Sequence, residues 1–191
     1  ITATTMAFML RGFDPILAVT LAPEDAFELW QIPLFILLGV CCGLMSWYFT
    51  STNLRVGTFF KKIDKQYKKW IVGGTVLGVL IFIFPPLYGE GYEGFTSLMH
   101  GQAENLFDNS LFYRFRDIDW VVILFVIATM FFKVVAMAST NAAGGVGGTF
   151  APSLFVGAFT GASIALLCNA FFDWDVSIVS FTPVSYTHLR A

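Results

Sequence analysis

Residues Asn141 to Gly161 read NAAGGVGGTFAPSLFVGAFTG, and this stretch decides the fold. Six of its first eight residues are glycine or alanine, and its second half opens an apolar run with no charged residue before Asp173. Pro152 suits the first turn of a helix, where its missing backbone N–H is not needed. The sequence therefore predicts a helix that begins near Thr149 or Phe150, directly after the most flexible backbone of the chain.

The composition is that of a membrane protein. Of 191 residues, 57% are hydrophobic, 17% are aromatic and only 13% are charged, and the mean hydropathy is +0.72. The 22 Phe and 5 Trp could fill the core of a soluble domain. The long uncharged runs, however, offer no polar face to water. We therefore interpret the chain as an integral membrane protein rather than as a soluble domain.

The apolar segments predict an all-α, polytopic fold of about five membrane helices. A spanning helix needs about 20 mostly apolar residues, because each adds about 1.5 Å across a hydrocarbon core of about 30 Å. Pro85 and Pro86 end the third helix, since proline lacks the backbone donor. The five predicted segments are Ile1–Leu10, which is short, and then Leu29–Leu54, Trp70–Gly89, Trp120–Thr140 and Phe150–Phe172.

The sequence at each end of the chain supports a separate interpretation. The chain opens with Ile rather than Met, so we expect an internal piece of a longer protein, truncated at both ends. Residues 1–183 are predicted to form one partial transmembrane domain. The last residues, VSYTHLRA, break sharply from the apolar pattern, and we interpret residues 184–191 as a non-native tail.

Charge placement predicts the orientation in the membrane. Residues Ser51–Lys69 contain six basic residues against Asp64 alone, whereas Asp14–Glu28 contains four acidic residues and no basic one. By the positive-inside rule, the loop Ser51–Lys69 is predicted to be cytoplasmic, in a plasma (inner) membrane, and residues 89–119 to form an outer loop. Phe59 and Phe60 among the lysines predict an amphipathic extension of the preceding helix beyond the bilayer.

The glycine stretch is a candidate anion site. In hydrocarbon every backbone N–H and C=O must be satisfied by protein, so irregular backbone survives only when it is buried or lines a wet cavity. The first N–H groups of the helix and its positive dipole end point toward Gly144–Gly148, where missing side chains admit an anion. The alternative is that the glycines serve a tight turn or close helix packing, for which the spacing of Gly157 and Gly161 is suited.

Residues 147–161, GGTFAPSLFVGAFTG, resemble the Gly-Gly-x-Phe-x-Pro signature of the CLC family of chloride channels and proton-coupled chloride transporters. The acidic connection, the basic turn and KWIVGGTVLGVLIFIFPPLYGEGYEG follow in the order of that family. The resemblance implies that the amides of Thr149 and Phe150 coordinate chloride beside Gly147 and Gly148. It also implies a homodimer in the lipid bilayer, with chloride as the ligand and no cofactor. Val146 stands where some members have proline, which leaves the turn less certain.

Other chloride-binding pieces of that family are missing from this chain. They are a Gly-Ser-Gly-x-Pro loop, a Gly-x-Glu-Gly-Pro loop with the gating glutamate, and a late tyrosine. The sequence therefore does not distinguish a passive channel from a proton-coupled exchanger.

Lys133 is the one charge deep in a predicted span, and an ionisable residue at that depth is a functional hypothesis by default. It could raise the anion potential of an inner vestibule. It could equally pair with an acid upstream of this chain or bind backbone carbonyls. The sequence leaves these roles open.

One other class of function fits the same sequence pattern, and a further class does not. A secondary transporter for another anionic or cation-coupled substrate could use broken helices in the same way. An enzyme is not expected, because Ser139, Thr140 and Asn141 have no histidine or acid near them in sequence. Cys41, Cys42 and Cys168 lack metal-ligand spacing, so no metal is expected, and no nucleic-acid partner is expected.

Overall fold

The computed structural model describes residues 31–89, 91–99, 103–107, 110–115 and 118–172, together with 176, 178, 181, 182, 184 and 185. These residues form helices and connections and no strand, which confirms the all-α prediction. The five α-helices are α1 (Ile32–Lys61), α2 (Gln66–Ile83), α3 (Tyr92–Met99), α4 (Asp119–Ala142) and α5 (Phe150–Phe172). Short 3-10 helices occupy Pro85–Leu87, Ala103–Phe107 and Tyr113–Phe115.

Three of these helices are long and apolar enough to cross a membrane: α1 with 30 residues, α4 with 24, and the Phe150–Phe171 part of α5 with 22. The fourth long helix, α2, has 18 residues and carries Lys68 and Lys69 in its first turn. The predicted helix Ile1–Leu10 and the acidic connection Asp14–Glu28 lie outside the described residues.

The helix that follows the glycine stretch lies at the centre of the bundle. Within the spanning windows, 72% of the α5 residues and 61% of the α4 residues are buried, against 22% for α1. Helix α5 packs against α1, α3 and α4, and its Val156, Phe159 and Ala162 are fully buried. The anion site predicted at the start of α5 therefore belongs to the best-packed helix of the described part.

The predicted loop Ser51–Lys69 is wrong as a loop, although the predicted helical extension is confirmed. Helix α1 continues to Lys61, and residues 62–65 alone connect it to α2. The reason is tertiary packing: the Phe60 side chain is 3% exposed and lies beside Gly73 of α2, while Lys61 and Lys62 face outward. Because the Phe60 side chain is buried against α2, α1 continues as a helix beyond the uncharged segment Leu29–Leu54.

Residues 89–119 are also more ordered than the predicted outer loop. This segment contains α3 and two of the 3-10 helices, and Leu98 and Phe107 are fully buried. The Phe107 ring stacks on Phe125 of α4 with ring centroids 4.4 Å apart. The segment therefore forms a packed layer on α4 and α5, because its apolar side chains have a hydrophobic surface to bury against. At its beginning, α2 ends at Ile83, in agreement with the stop predicted from Pro85 and Pro86.

Candidate anion-binding site

The turn between α4 and α5 has the form that the sequence predicts. Helix α4 ends at Ala142, and two backbone hydrogen bonds close its last turn, from Ala143 N to Ser139 O and from Gly145 N to Thr140 O, each 2.9 Å. Gly144 has φ of +97°, in the left-handed region that glycine adopts at low cost. After residues 145–149, which form no regular helix, α5 begins at Phe150, so the predicted helix start is confirmed.

The start of α5 lies at an exposed edge of a buried helix. Every residue from Gly144 to Phe150 is exposed, whereas residues 154–165 are buried. Ser153 N donates a hydrogen bond to Thr149 O, 3.0 Å away, which is one of the first backbone hydrogen bonds of the helix. The predicted coordinating positions, Thr149 and Phe150, lie just upstream of that bond, at the N-terminus of the helix.

The glycines of the turn have different surroundings. These surroundings distinguish the two explanations given for the glycines, which are close packing and space for an anion. A Cβ added to Gly144 would lie 2.6 Å from Gln66 Nε2, and one added to Gly145 would lie 2.8 Å from Thr140 O. Gly145 needs glycine for packing, because the close atom belongs to the backbone, whereas Gly144 faces the movable end of a side chain and needs glycine for its positive φ. A Cβ on Gly147 would meet Asn141 Oδ1 at 3.0 Å, while one on Gly148 would meet no atom within 4 Å. Gly148 therefore borders open space beside the start of α5.

Helix α2 supports the turn from the other side. Gln66, in the first turn of α2, donates a hydrogen bond from Nε2 to Ala143 O, 3.0 Å away. Gly73 lies so close to the end of α4 that an added Cβ would be 2.5 Å from Ala143 Cβ and 3.3 Å from Ser139 O. Nothing local in the sequence marks the role of Gln66, because its hydrogen-bond partner lies 77 positions away.

Lys133 is buried, with 3% of its surface exposed. Its Nζ donates hydrogen bonds to Leu87 O at 3.1 Å and to Gly89 O at 2.9 Å, and lies 4.7 Å from the centroid of the Phe155 ring. Of the roles left open by the sequence, the structure thus shows the binding of backbone carbonyls. A contribution to the potential of a vestibule stays a prediction.

These contacts connect Lys133 to the beginning of α5. Gly91, with φ of +82°, lies against Phe155, since an added Cβ would be 2.5 Å from two atoms of that ring. Phe155 is five residues downstream of Phe150. Lys133, the backbone at Leu87, Gly89 and Gly91, and Phe155 therefore join α4, the segment after α2 and the first turns of α5. The cluster depends on partners that are distant in sequence, so the pattern of the span alone does not reveal it.

Within the described ranges no group of three or more His, Cys, Asp or Glu side chains could hold a metal ion. The arrangement that remains is a helix N-terminus with exposed backbone and an open glycine position. Such an arrangement can bind an anion through amide donors.

A family model described as "Voltage gated chloride channel" matches residues 1–187. The chain belongs to this family. Membership agrees with the resemblance seen in the sequence and with the expectation that the chain is not an enzyme.

Curated relatives carry chloride-channel names. The chain is 25% identical to Chloride channel protein CLC-e of Arabidopsis thaliana, over 97% of this chain and 26% of the relative. It is 31% identical to Chloride channel protein CLC-f of the same plant, over 76% of this chain and 18% of the relative. A ClcB-like protein of Ralstonia nicotianae is 26% identical over 84% of this chain and 34% of its own length. The chain thus spans between about a fifth and a third of these relatives. No solved structure matches the chain significantly.

The boundary predicted at residue 183 stays a prediction. The family match extends to residue 187. Ser185 is fully buried, and its Oγ donates hydrogen bonds to Phe181 O at 3.1 Å and to Thr182 O at 3.0 Å. A Cβ added to Gly161 would collide with Ser185 Oγ and Phe181 O, so this glycine serves close packing.

Proposed function

We propose that the full-length protein transports chloride across a membrane and that the start of α5 forms one wall of its anion pathway. In this proposal the backbone amides of Thr149 and Phe150 coordinate the ion, and Gly147 and Gly148 leave room for its approach. The observation that carries the proposal is that a buried helix begins at Phe150 directly after exposed glycine backbone.

The physical basis is a weak, reversible attraction. A helix N-terminus carries roughly half an elementary positive charge, spread over its first N–H groups. It holds an anion less tightly than a lysine or arginine would, which favours rapid passage. Within the described residues the side chains of the turn, from Gly144 to Phe150, are all uncharged. Amide donors would therefore do the binding there.

The remaining parts of the proposal follow from family membership and charge placement. We infer a homodimer in a plasma (inner) membrane, with residues 51–69 on the cytoplasmic side, chloride as the transported ligand and no cofactor. Transport by a channel and by a proton-coupled exchanger both fit a site made of backbone amides. Residues outside this chain would separate the two modes.

Two substitutions at adjacent positions test the site in the full-length protein. Gly148→Leu should lower chloride affinity at least tenfold, because the side chain would fill the open space beside the amides. Gly148 is not among the described glycines with positive φ, and an added Cβ there meets no atom within 4 Å, so the fold should tolerate the change. Thr149→Ile keeps the N–H and should leave affinity within about twofold.

The measurement is chloride binding by isothermal titration calorimetry, paired with chloride and carboxylate flux in liposomes. Loss of binding in Thr149→Ile with Gly148→Leu unaffected would show that the threonine side chain, not the backbone, holds the ion. Carboxylate uptake without halide flux in the unmodified protein would instead indicate a transporter for organic anions.

A further inference from the structure

A groove opens between the last turns of α1 and the neighbouring helices α2 and α4. Its volume is about 310 Å³, and its lining is almost entirely apolar, with Arg55 at its edge. The lining residues from the three helices are Arg55, Val56, Phe59, Phe60, Val72, Val76, Val135 and Ser139.

A second depression, also of about 310 Å³, lies on the outer face of α1 and shares Arg55 and Phe59 with the groove. Its lining ends in Lys62, seven residues beyond Arg55. Seven residues make almost two full helical turns, so the two basic residues share one face and are about 10 Å apart along the axis. The two depressions together form one continuous surface, apolar toward the bundle and basic along its rim. We name it the basic-rimmed groove.

The rim charges are available to a ligand. Arg55 and Lys62 are both exposed, and in the part of the chain that the structure describes neither has an ion-pair partner. Phe59 between them is 57% exposed.

We propose that the basic-rimmed groove binds one anionic phospholipid of the cytoplasmic leaflet. The phosphate would lie between Arg55 and Lys62, and one acyl chain would enter the apolar part beside Val76 and Val135. The charge placement puts this end of α1 on the cytoplasmic side, where anionic lipids attract basic residues.

The dimensions agree with this occupant. The headgroup layer on each side of the hydrocarbon is about 5–7 Å thick, and an arginine can extend its charged end toward that layer from below. The spacing along the helix axis would therefore let Arg55 contact a headgroup from the hydrocarbon side and Lys62 contact it from the water side. A small soluble anion would need the rim alone and would leave the apolar groove empty. The proposal concerns a site apart from the start of α5, and it stands or falls independently of chloride transport.

The test compares two double variants of the full-length protein that lose the same charge. Arg55→Gln with Lys62→Gln removes the rim of the groove, whereas Lys68→Gln with Lys69→Gln removes two lysines that line neither depression. Native mass spectrometry, with phosphatidylglycerol and phosphatidylcholine of identical acyl chains as probes, measures lipid binding to each protein.

The rim variant should bind phosphatidylglycerol about 30-fold more weakly, since each basic residue near an anionic surface contributes about 1 kcal/mol. The control pair should lose less than about fivefold, and phosphatidylcholine binding should not change. A third variant, Val76→Trp, keeps the rim charges and fills the groove, so it should also weaken phosphatidylglycerol binding.

Equal losses in both charge variants would overturn the proposal in favour of diffuse surface attraction. Unchanged binding in the rim variant would overturn it outright. So would a structure of the full-length protein in which another polypeptide segment fills the groove. Because all four substituted basic residues are exposed or half-exposed, their replacement should not prevent folding.

Discussion

Two adjacent glycines of α2 offer a direct test of how α2 supports the anion site. Gly73 is buried and Gly74 is exposed, although both lie in the same helix. A Cβ on Gly73 would lie 2.5 Å from Ala143 Cβ, while one on Gly74 would meet nothing within 4 Å. Alanine at either position therefore raises helix propensity by the same amount. Only at Gly73 does the added methyl group collide with a neighbouring helix.

The expected magnitudes follow from these distances. Non-bonded carbons prefer a separation of about 3.5–4.0 Å, so Gly73→Ala must push α2 and the end of α4 apart by roughly 1 Å. Overpacking of this kind costs about 1–3 kcal/mol. Replacement of a helical glycine by alanine contributes about 0.8–1.0 kcal/mol in the other direction. Gly74→Ala should thus stabilise the protein by about 1 kcal/mol, and Gly73→Ala should be less stable than Gly74→Ala by about 1–3 kcal/mol.

The assay is thermal unfolding of the purified full-length protein in detergent, followed by chloride titration of both variants. Gly73→Ala should have the lower Tm, and its chloride affinity should fall because Ala143 directly precedes the turn that leads to α5. Gly74→Ala should bind chloride like the unmodified protein. If Gly73→Ala were as stable as Gly74→Ala, the close packing of α2 on the end of α4 would be refuted.

Two further substitutions probe the cluster around Lys133. Lys133→Met should destabilise the protein by about 1–3 kcal/mol, because Leu87 O and Gly89 O lose their buried donor, while chloride affinity should not change. Thermal unfolding and chloride titration distinguish this from a vestibule charge, for which affinity would fall and stability would hold. Gly91→Ala should destabilise more than Gly89→Ala in the same unfolding assay, because both have positive φ but an added Cβ meets the Phe155 ring at Gly91 alone. Equal stability of the two alanine variants would contradict the contact with Phe155.

The sequence predicted the local features of this protein well. The uncharged runs indicated long helices, Pro85 and Pro86 indicated the end of α2, and Pro152 after the glycines indicated the start of α5. Each of these signals depends on neighbouring residues, because proline and glycine act on the backbone next to them. The order of the motifs was enough to identify the family that the family model then matched.

The errors arose where burial competed with charge. The loop Ser51–Lys69 was predicted from its basic residues, yet Phe60 packs on α2 and α1 continues to Lys61, as the predicted helical extension at Phe59 and Phe60 requires. Residues 89–119 were predicted from charge placement along the chain to form an outer loop, yet Leu98 and Phe107 are buried against the bundle. In both cases a few apolar side chains outweighed the average polarity of the segment.

By itself, the sequence determined the helical class, the membrane environment and the residue at which α5 begins, since these follow from composition and from short-range backbone constraints. The tertiary structure alone decided which glycines are packed and which one borders open space, where Lys133 places its charge, and that Gln66 contacts the end of α4. The hydrogen bonds of Lys133 and Gln66, for example, join partners 44 to 77 residues apart. The physical reason is that a hydrogen bond or a close contact is set by the position of both partners, and helix packing brings together residues that no local pattern links.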